Sequence, residues 1–206
     1  MCRLLLGKKE TILRYNEKYN ILKLLDHLVN ELGGHGNGLV LIKDRKIIYY
    51  RKGIRYYTDE VYKSMISKDY DYCIFHTRLA SIGEISDENC HPFVYNNSCI
   101  CMNGTMTEYN RYLIKDNITD TEYLFNKIKD ISDIYKVVSI LQKKKPSFIG
   151  CVDGRVYLVK NLSSIYQWSI SNDDFLYASS FIGYESSNEI KAILDNKFYY
   201  IEEETK

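Results

Sequence analysis

The sequence predicts an α+β fold in which antiparallel sheets carry helices on their outer faces. Three observations predict it. Hairpin signals outnumber strand–helix–strand crossovers, amphipathic helical stripes fall between those hairpins, and no internal repeat or interdomain linker interrupts residues 1–206. The length suits one well-packed core, so residues 1–206 are expected to form a single domain.

The elements follow in order. Met1 to Gly7 is short and apolar and gives way to Lys8-Lys9, so it reads as a strand beginning at the first residue. Ile21, Leu24, Leu25, Leu28 and Leu32 form a stripe that predicts a helix over about Glu17 to Leu32, stopped by Gly33-Gly34. Leu39 to Ile42 and Ile47 to Tyr50 flank a polar tetrapeptide and read as a hairpin. Thr58, with Asp59 and Glu60 behind it, is the expected cap of a shorter helix ending near Lys68. Tyr72 to Phe75 reads as a buried strand, and Val94-Tyr95 and Ser98 to Met102 as a pair joined at Asn96-Asn97, after a long polar loop from about Ala80 to His91. Thr119-x-x-Glu122 is a capping box ahead of Tyr123, Phe125, Ile128 and Ile131, and a further helix is expected over roughly Asp133 to Lys145. Asp153-Gly154 joins Ser147 to Val152 with Val156 to Val159, and Asn172-Asp173 joins Tyr166 to Ile170 with Phe175 to Ala178, as two more hairpins. Ser186-x-x-Glu189 is expected to cap a last helix before a strand at Phe198 to Ile201.

Composition narrows the function classes. Lys and Arg number 28 against 27 Asp and Glu, so a net charge of +1 offers no field to draw nucleic acid or an anionic membrane. The basic run Lys143 to Lys145 reads as a helix end, where cations meet the negative end of the dipole. No apolar stretch reaches signal-peptide or transmembrane length, so a cytoplasmic location is expected. The six cysteines, at 2, 73, 90, 99, 101 and 151, include no C-x-x-C pair, and free thiols are expected with no metal site.

Chemistry concentrates in a few places. Cys2 becomes N-terminal once Met1 is removed, which puts a thiol and an amine on one residue: a nucleophile with its own base, since an α-amine titrates near about 7.7–8.0 and a thiol near about 8.5. The strand behind it would hold that thiol on a rigid element. Asn103-Gly104 after a strand can supply a side-chain amide and a backbone N–H to an oxyanion, or can be a bare turn. Arg78, at a strand end, matches a carboxylate with two parallel hydrogen bonds, although taken by itself it better suits a surface ion pair. Asp120 follows a helix cap, where a carboxylate stabilises any helix dipole. His76 and His91 read as framework residues.

Four segments, Met1-Cys2-Arg3-Leu4-Leu5, His76-Thr77-Arg78-Leu79-Ala80-Ser81-Ile82-Gly83, His91-Pro92-Phe93 and Met102-Asn103-Gly104-Thr105, together resemble the class II glutamine amidotransferases of the N-terminal-nucleophile hydrolase superfamily. Gly34 to Gly38, Asp120-Thr121-Glu122 and Tyr177 to Ser180 extend the resemblance, which is nearest in plan to stand-alone amidotransferase-domain members. It implies a four-layer αββα sandwich of two antiparallel sheets flanked by helices, with Cys2 on a central strand. It also implies roles: Cys2 as nucleophile, Asn103 and Gly104 as oxyanion hole, Arg78 on the glutamine α-carboxylate, Asp120 on the α-amino group, and Ser81 as a hydroxyl near the substrate where relatives often have Thr. Met102 and Ile82 stand where many relatives have His, and with His35 they are assigned no role. The reaction implied is hydrolysis of glutamine to glutamate and ammonia with no metal or organic cofactor. A γ-glutamyl amidohydrolase acting on a larger γ-glutamyl compound is the rival reading; a non-catalytic module keeping the fold is a third, although none of Cys2, Arg78, Asn103 and Gly104 is missing. Because too little chain follows the last matching segment for an acceptor domain, a separate synthase subunit is the expected consumer of the ammonia.

Overall fold

A computed structural model describes residues 2–109, 118–169, 175–182, 189–193 and 197–201. Strand β1 (Arg3–Lys8) leads into helices α1 (Lys9–Tyr19) and α2 (Ile21–Leu32), then into β2 (Asn37–Lys43), β3 (Lys46–Gly53), α3 (Thr58–Ser67) and β4 (Tyr72–Thr77). The chain then forms β5 (Phe93–Tyr95), β6 (Ser98–Asn103), a 3₁₀ turn at Thr107–Tyr109, α4 (Asp120–Ile128) and α5 (Ile134–Leu141). It continues through β7 (Ser147–Val152), β8 (Arg155–Lys160), β9 (Tyr166–Trp168), β10 (Leu176–Ala178), β11 (Ile190–Ala192) and β12 (Lys197–Ile201). Every pairing is antiparallel, in a seven-stranded sheet ordered β11-β9-β10-β1-β4-β2-β3 and a five-stranded sheet ordered β12-β8-β7-β6-β5.

Strand alternation sorts the apolar residues into three cores. Leu5, Leu39, Leu41, Cys73 and Phe75 face outward from the first sheet and bury the inner faces of α1, α2 and α3. Their strand neighbours Leu4, Leu6, Val40, Ile42 and Ile74 point the other way and meet Cys99, Cys101, Ile149 and Leu158 of the second sheet. Ile100, Phe148, Tyr157 and Val159 turn to the far side, onto Leu124, Ile128, Val137 and Leu141 of α4 and α5. Helix, sheet, sheet and helix thus stack in four layers, the αββα sandwich expected.

Most elements fall where expected, and the departures have local causes. The first helical region is two helices: α1 starts at Lys9, buries Thr11, Ile12 and Tyr15, and ends at Asn20. Asn20, at φ 66°, also begins α2, its side chain accepting the Leu22 N–H. A buried stripe with only Ile12 and Tyr15 as its apolar members is too thin to register in a periodicity count, so the sequence does not announce α1. Thr58 does not cap α3; Tyr57 holds that position without a side-chain bond, and the Thr58 hydroxyl donates to Asp26. Helix α5 stops at Leu141, so Lys143 to Lys145 lie beyond it and not in its last turn. The helix expected after Ser186 does not take in Ile190–Ala192, which pair with Trp168, Gln167 and Tyr166 as β11. Met1, Asn172, Asp173 and Ser186 lie outside the described residues. Among the described residues no helix is long and apolar enough to cross a membrane.

Candidate active site

β1 is the fourth of seven strands, with β10 on one side and β4 on the other. Leu4 and Leu6 face the second sheet, so the period of two turns Cys2 the same way. On β6, Cys99 and Cys101 face the first sheet, and the same alternation turns Asn103 toward β1. Arg3 pairs with Thr77, which sets Arg78 beside Cys2 as β4 ends. The Leu79 N–H then donates to Cys2 Sγ at 3.4 Å, and the thiol lies 3.6 Å from the Leu79 carbonyl.

A cavity of about 10 Å³ opens at this end of the sandwich, lined by Cys2, Arg78, Ser81, Ile82, His91, Met102, Gly104, Asp120 and Thr121 among others. Five of the six candidate residues therefore share one cavity. The sixth, Asn103, sits between the lining residues Met102 and Gly104 with its side chain near Ser179 Oγ, 3.4 Å away. A wider cleft of about 160 Å³ near Tyr95, Lys129 and Asp153 includes none of the six.

Each side chain is held by its surroundings. Arg78 is buried and donates to the carbonyls of Glu84 (2.6 Å), Ile82 (2.8 Å) and Gly83 (3.1 Å), so its fork is partly spent on its own loop. Of five N–H groups these bonds use three. The base of the loop is tied by His35, whose Nδ1 accepts the Ala80 N–H and whose backbone N–H donates to the Arg78 carbonyl. Ser81, exposed at the mouth, hydrogen-bonds Thr105 at 3.0 Å and so links the two sides of the cavity. Asp120 is buried at the start of α4 and accepts from the Met106 N–H (2.8 Å) and the Thr121 N–H (2.9 Å).

Asn103-Gly104 is not a hairpin turn, since β6 pairs with β5 and β7 and runs on toward the 3₁₀ turn. Gly104 adopts φ +130°, and a Cβ there would lie 2.9 Å from Pro146, so only glycine suits the position. His76 and His91 form a buried pair, with His91 Nδ1 3.0 Å from His76 Nε2 and that nitrogen 3.2 Å from the Met102 carbonyl. This is the framework role expected of both, and it gives Met102 a backbone part in it.

Burial dominates the electrostatics. It pushes the Cys2 thiol up, against the pull of the Leu79 N–H and Arg78, so at neutral pH the sulfur keeps its proton until something removes it. Burial also raises Asp120, while its two backbone donors and Arg78 draw it down. His76 is driven down to about 3 and His91 well below its ordinary value, both by burial, so the pair is neutral. Among the described residues no group of three or more His, Cys, Asp or Glu is placed to hold a metal ion. Thr105, Thr121 and Ser179 lie in the segments that carry the resemblance but were assigned no role, since what a Thr or Ser hydroxyl does is set by tertiary contacts.

Comparison with solved structures places the geometry. The chain aligns over 94% of its length with the glutamine phosphoribosylpyrophosphate amidotransferase of B. subtilis, solved with ADP and GMP, at TM-score 0.57 and 15% identity. It aligns over 90% with a structure described as the allosteric regulatory enzyme of purine biosynthesis, at TM-score 0.59 and 20% identity. The fold is that of the N-terminal-nucleophile hydrolases. The likeness in fold to the amidotransferase structure agrees with the resemblance that the sequence segments carry. The chain covers 49% and 43% of those two proteins, about half their length. No family model and no curated protein matches the chain.

Proposed function

We propose that residues 1–206 form one glutamine-hydrolysing domain with Cys2, freed by loss of Met1, as nucleophile. The observation that carries this reading is the convergence of Cys2, Arg78, Ser81, Gly104 and Asp120 on one cavity, with Asn103 at its edge. The Cys2 amine takes the thiol proton as sulfur attacks the side-chain amide carbon, and the new oxyanion is held by the Asn103 amide and the Gly104 N–H. The tetrahedral adduct collapses with breakage of the C–N bond, and ammonia leaves with the proton carried by the amine. Water then adds to the γ-glutamyl thioester and releases glutamate and the thiol.

Recognition divides by charge. Arg78 meets the α-carboxylate with N–H groups not spent on its loop, and Asp120 meets the α-ammonium. A cavity of about 10 Å³ admits roughly one water. Entry of glutamine is expected to part the Ser81–Thr105 link at the mouth. A separate subunit that consumes the ammonia is the partner proposed.

The test is steady-state hydrolysis of glutamine by the wild type and by Cys2→Ala, with γ-glutamyl dipeptides and amines as competing substrates. Turnover of glutamine that vanishes in Cys2→Ala supports the reading. Turnover confined to γ-glutamyl compounds would move it to an amidohydrolase, and activity surviving in Cys2→Ala would overturn it.

A further inference from the structure

The end of β6 contains an amide whose orientation is decided by one neighbour. The Asn103 backbone is pinned: its carbonyl accepts from Ser163 Oγ at 2.5 Å, the Ser163 carbonyl accepts from Ser147 Oγ at 3.0 Å, and Ser147 Oγ in turn accepts the Asn161 N–H at 3.0 Å. The side-chain amide is less settled. Its Nδ2 lies 3.4 Å from Ser179 Oγ, a long contact, while its Oδ1 is buried with no donor. Ser179 Oγ already accepts the Leu4 N–H at 2.9 Å, and the Ser179 N–H returns a bond to the Leu4 carbonyl at 2.9 Å.

A half-turn of the amide occupies the same volume and changes the accounting. With Nδ2 toward Ser179, the hydroxyl oxygen accepts twice, and a buried carbonyl oxygen is orphaned. With Oδ1 toward Ser179, the serine accepts from Leu4 and donates its single proton to Asn103. Oδ1 then has its donor, and the buried position without a partner is taken by Nδ2, whose two protons await an acceptor such as the oxyanion.

We propose that Ser179 is a positioning residue: its hydroxyl selects the orientation of Asn103 that presents an N–H donor, not a carbonyl oxygen, to the oxyanion. The proposal rests on the amidotransferase reading above. It gives β10 a part in the chemistry, since the same hydroxyl ties the strand that bears the nucleophile to the amide that receives the negative charge.

Neutron diffraction of the deuterium-exchanged wild type tests the orientation without reference to activity. A deuteron on Ser179 Oγ pointing at Asn103 Oδ1 is expected, and Nδ2 deuterons pointing at Ser179 would overturn the proposal. Kinetics test the consequence. Ser179→Ala is expected to lower kcat for glutamine by about tenfold or more with KM unchanged, bounded by the roughly 10²–10³ lost with an oxyanion donor itself. It should cost nothing further in an Asn103→Ala background. Ser179→Thr, which keeps a hydroxyl, should restore most of the rate. Alkylation of Cys2 by iodoacetamide forms no oxyanion and should proceed at the wild-type rate in Ser179→Ala. Slowed alkylation, or a kcat loss that adds fully to that of Asn103→Ala, would reduce Ser179 to a brace for β1. A wild type without glutaminase activity would instead fail the amidotransferase reading, and the neutron result would still decide the orientation.

Discussion

Acid should weaken this fold through two residues that carry no charge in it. His76 and His91 are buried against one another, and burial drives His76 from 6.5 to about 3 and His91 well below 6.5. Between pH 6.5 and about 3 the unfolded chain binds a proton at His76 that the folded chain refuses, so unfolding gains protons and stability declines as pH falls. The stability is fully present above pH 6.5 and is lost on acidification toward 3. Each full pH unit inside the window is worth about 1.4 kcal/mol per histidine, so His76 alone removes about 2 kcal/mol between pH 6.5 and 5. That is a sizeable part of the roughly 5–15 kcal/mol of an ordinary domain. Urea unfolding at half-unit steps from pH 7.5 to about 5 measures it, staying above the range where most carboxylates titrate. His76→Gln, whose amide can still donate to the Met102 carbonyl, should be less stable at pH 7 and show a shallower slope. A wild-type stability that is flat over this range, or an unchanged slope in the variant, would refute the neutral buried pair.

Four further outcomes bear on the site. Asn103→Ala should lower kcat for glutamine by about 10²–10³ with KM little changed, and an unaltered rate would leave Asn103 a structural residue. Arg78→Ala should chiefly raise the KM for glutamine, because it meets a charge present in the ground state, and should also loosen residues Ile82 to Glu84, read as faster amide exchange. Burial raises Asp120 above 3.8, so the folded chain holds that proton more tightly and the carboxylate subtracts stability as pH rises through the interval above 3.8. Asp120→Asn is therefore expected to melt higher than the wild type at pH 7, by a margin that closes toward pH 3.8, while glutamine binding falls. A variant less stable at pH 7 would show that the bonds from Met106 and Thr121 outweigh the burial cost. Gly104→Ala, strained at φ +130° and pressed on Pro146, should cost about 1–3 kcal/mol in urea unfolding and lower turnover with it.

Much of the architecture was legible because its signals are local. Asp153-Gly154, with φ values of 47° and 72°, makes the tight turn its sequence announces, and Thr119 caps α4 by accepting the Glu122 N–H. What could not be read depends on partners distant in sequence. Helix α1 owes its burial to contacts such as Tyr15 on Trp168, and β11 exists because Ile190–Ala192 finds β9. In the site, Cys2, Arg78, Asn103 and Asp120 were picked out by the resemblance of the segments that hold them, each having a plainer reading by itself. That Arg78 is partly engaged by its own loop, that Ser81 reaches Thr105 and that Asn103 leans on Ser179 are facts of tertiary geometry.

The nucleophile is tested most directly by a diazoketone analogue of glutamine, followed by peptide mass spectrometry of protein purified from its natural host. One equivalent should attach to a peptide that begins at Cys2, with Met1 gone, and none to the five other buried cysteines at 73, 90, 99, 101 and 151. Label on any of those five, or a fully active chain that still carries Met1, would contradict Cys2 as the N-terminal nucleophile.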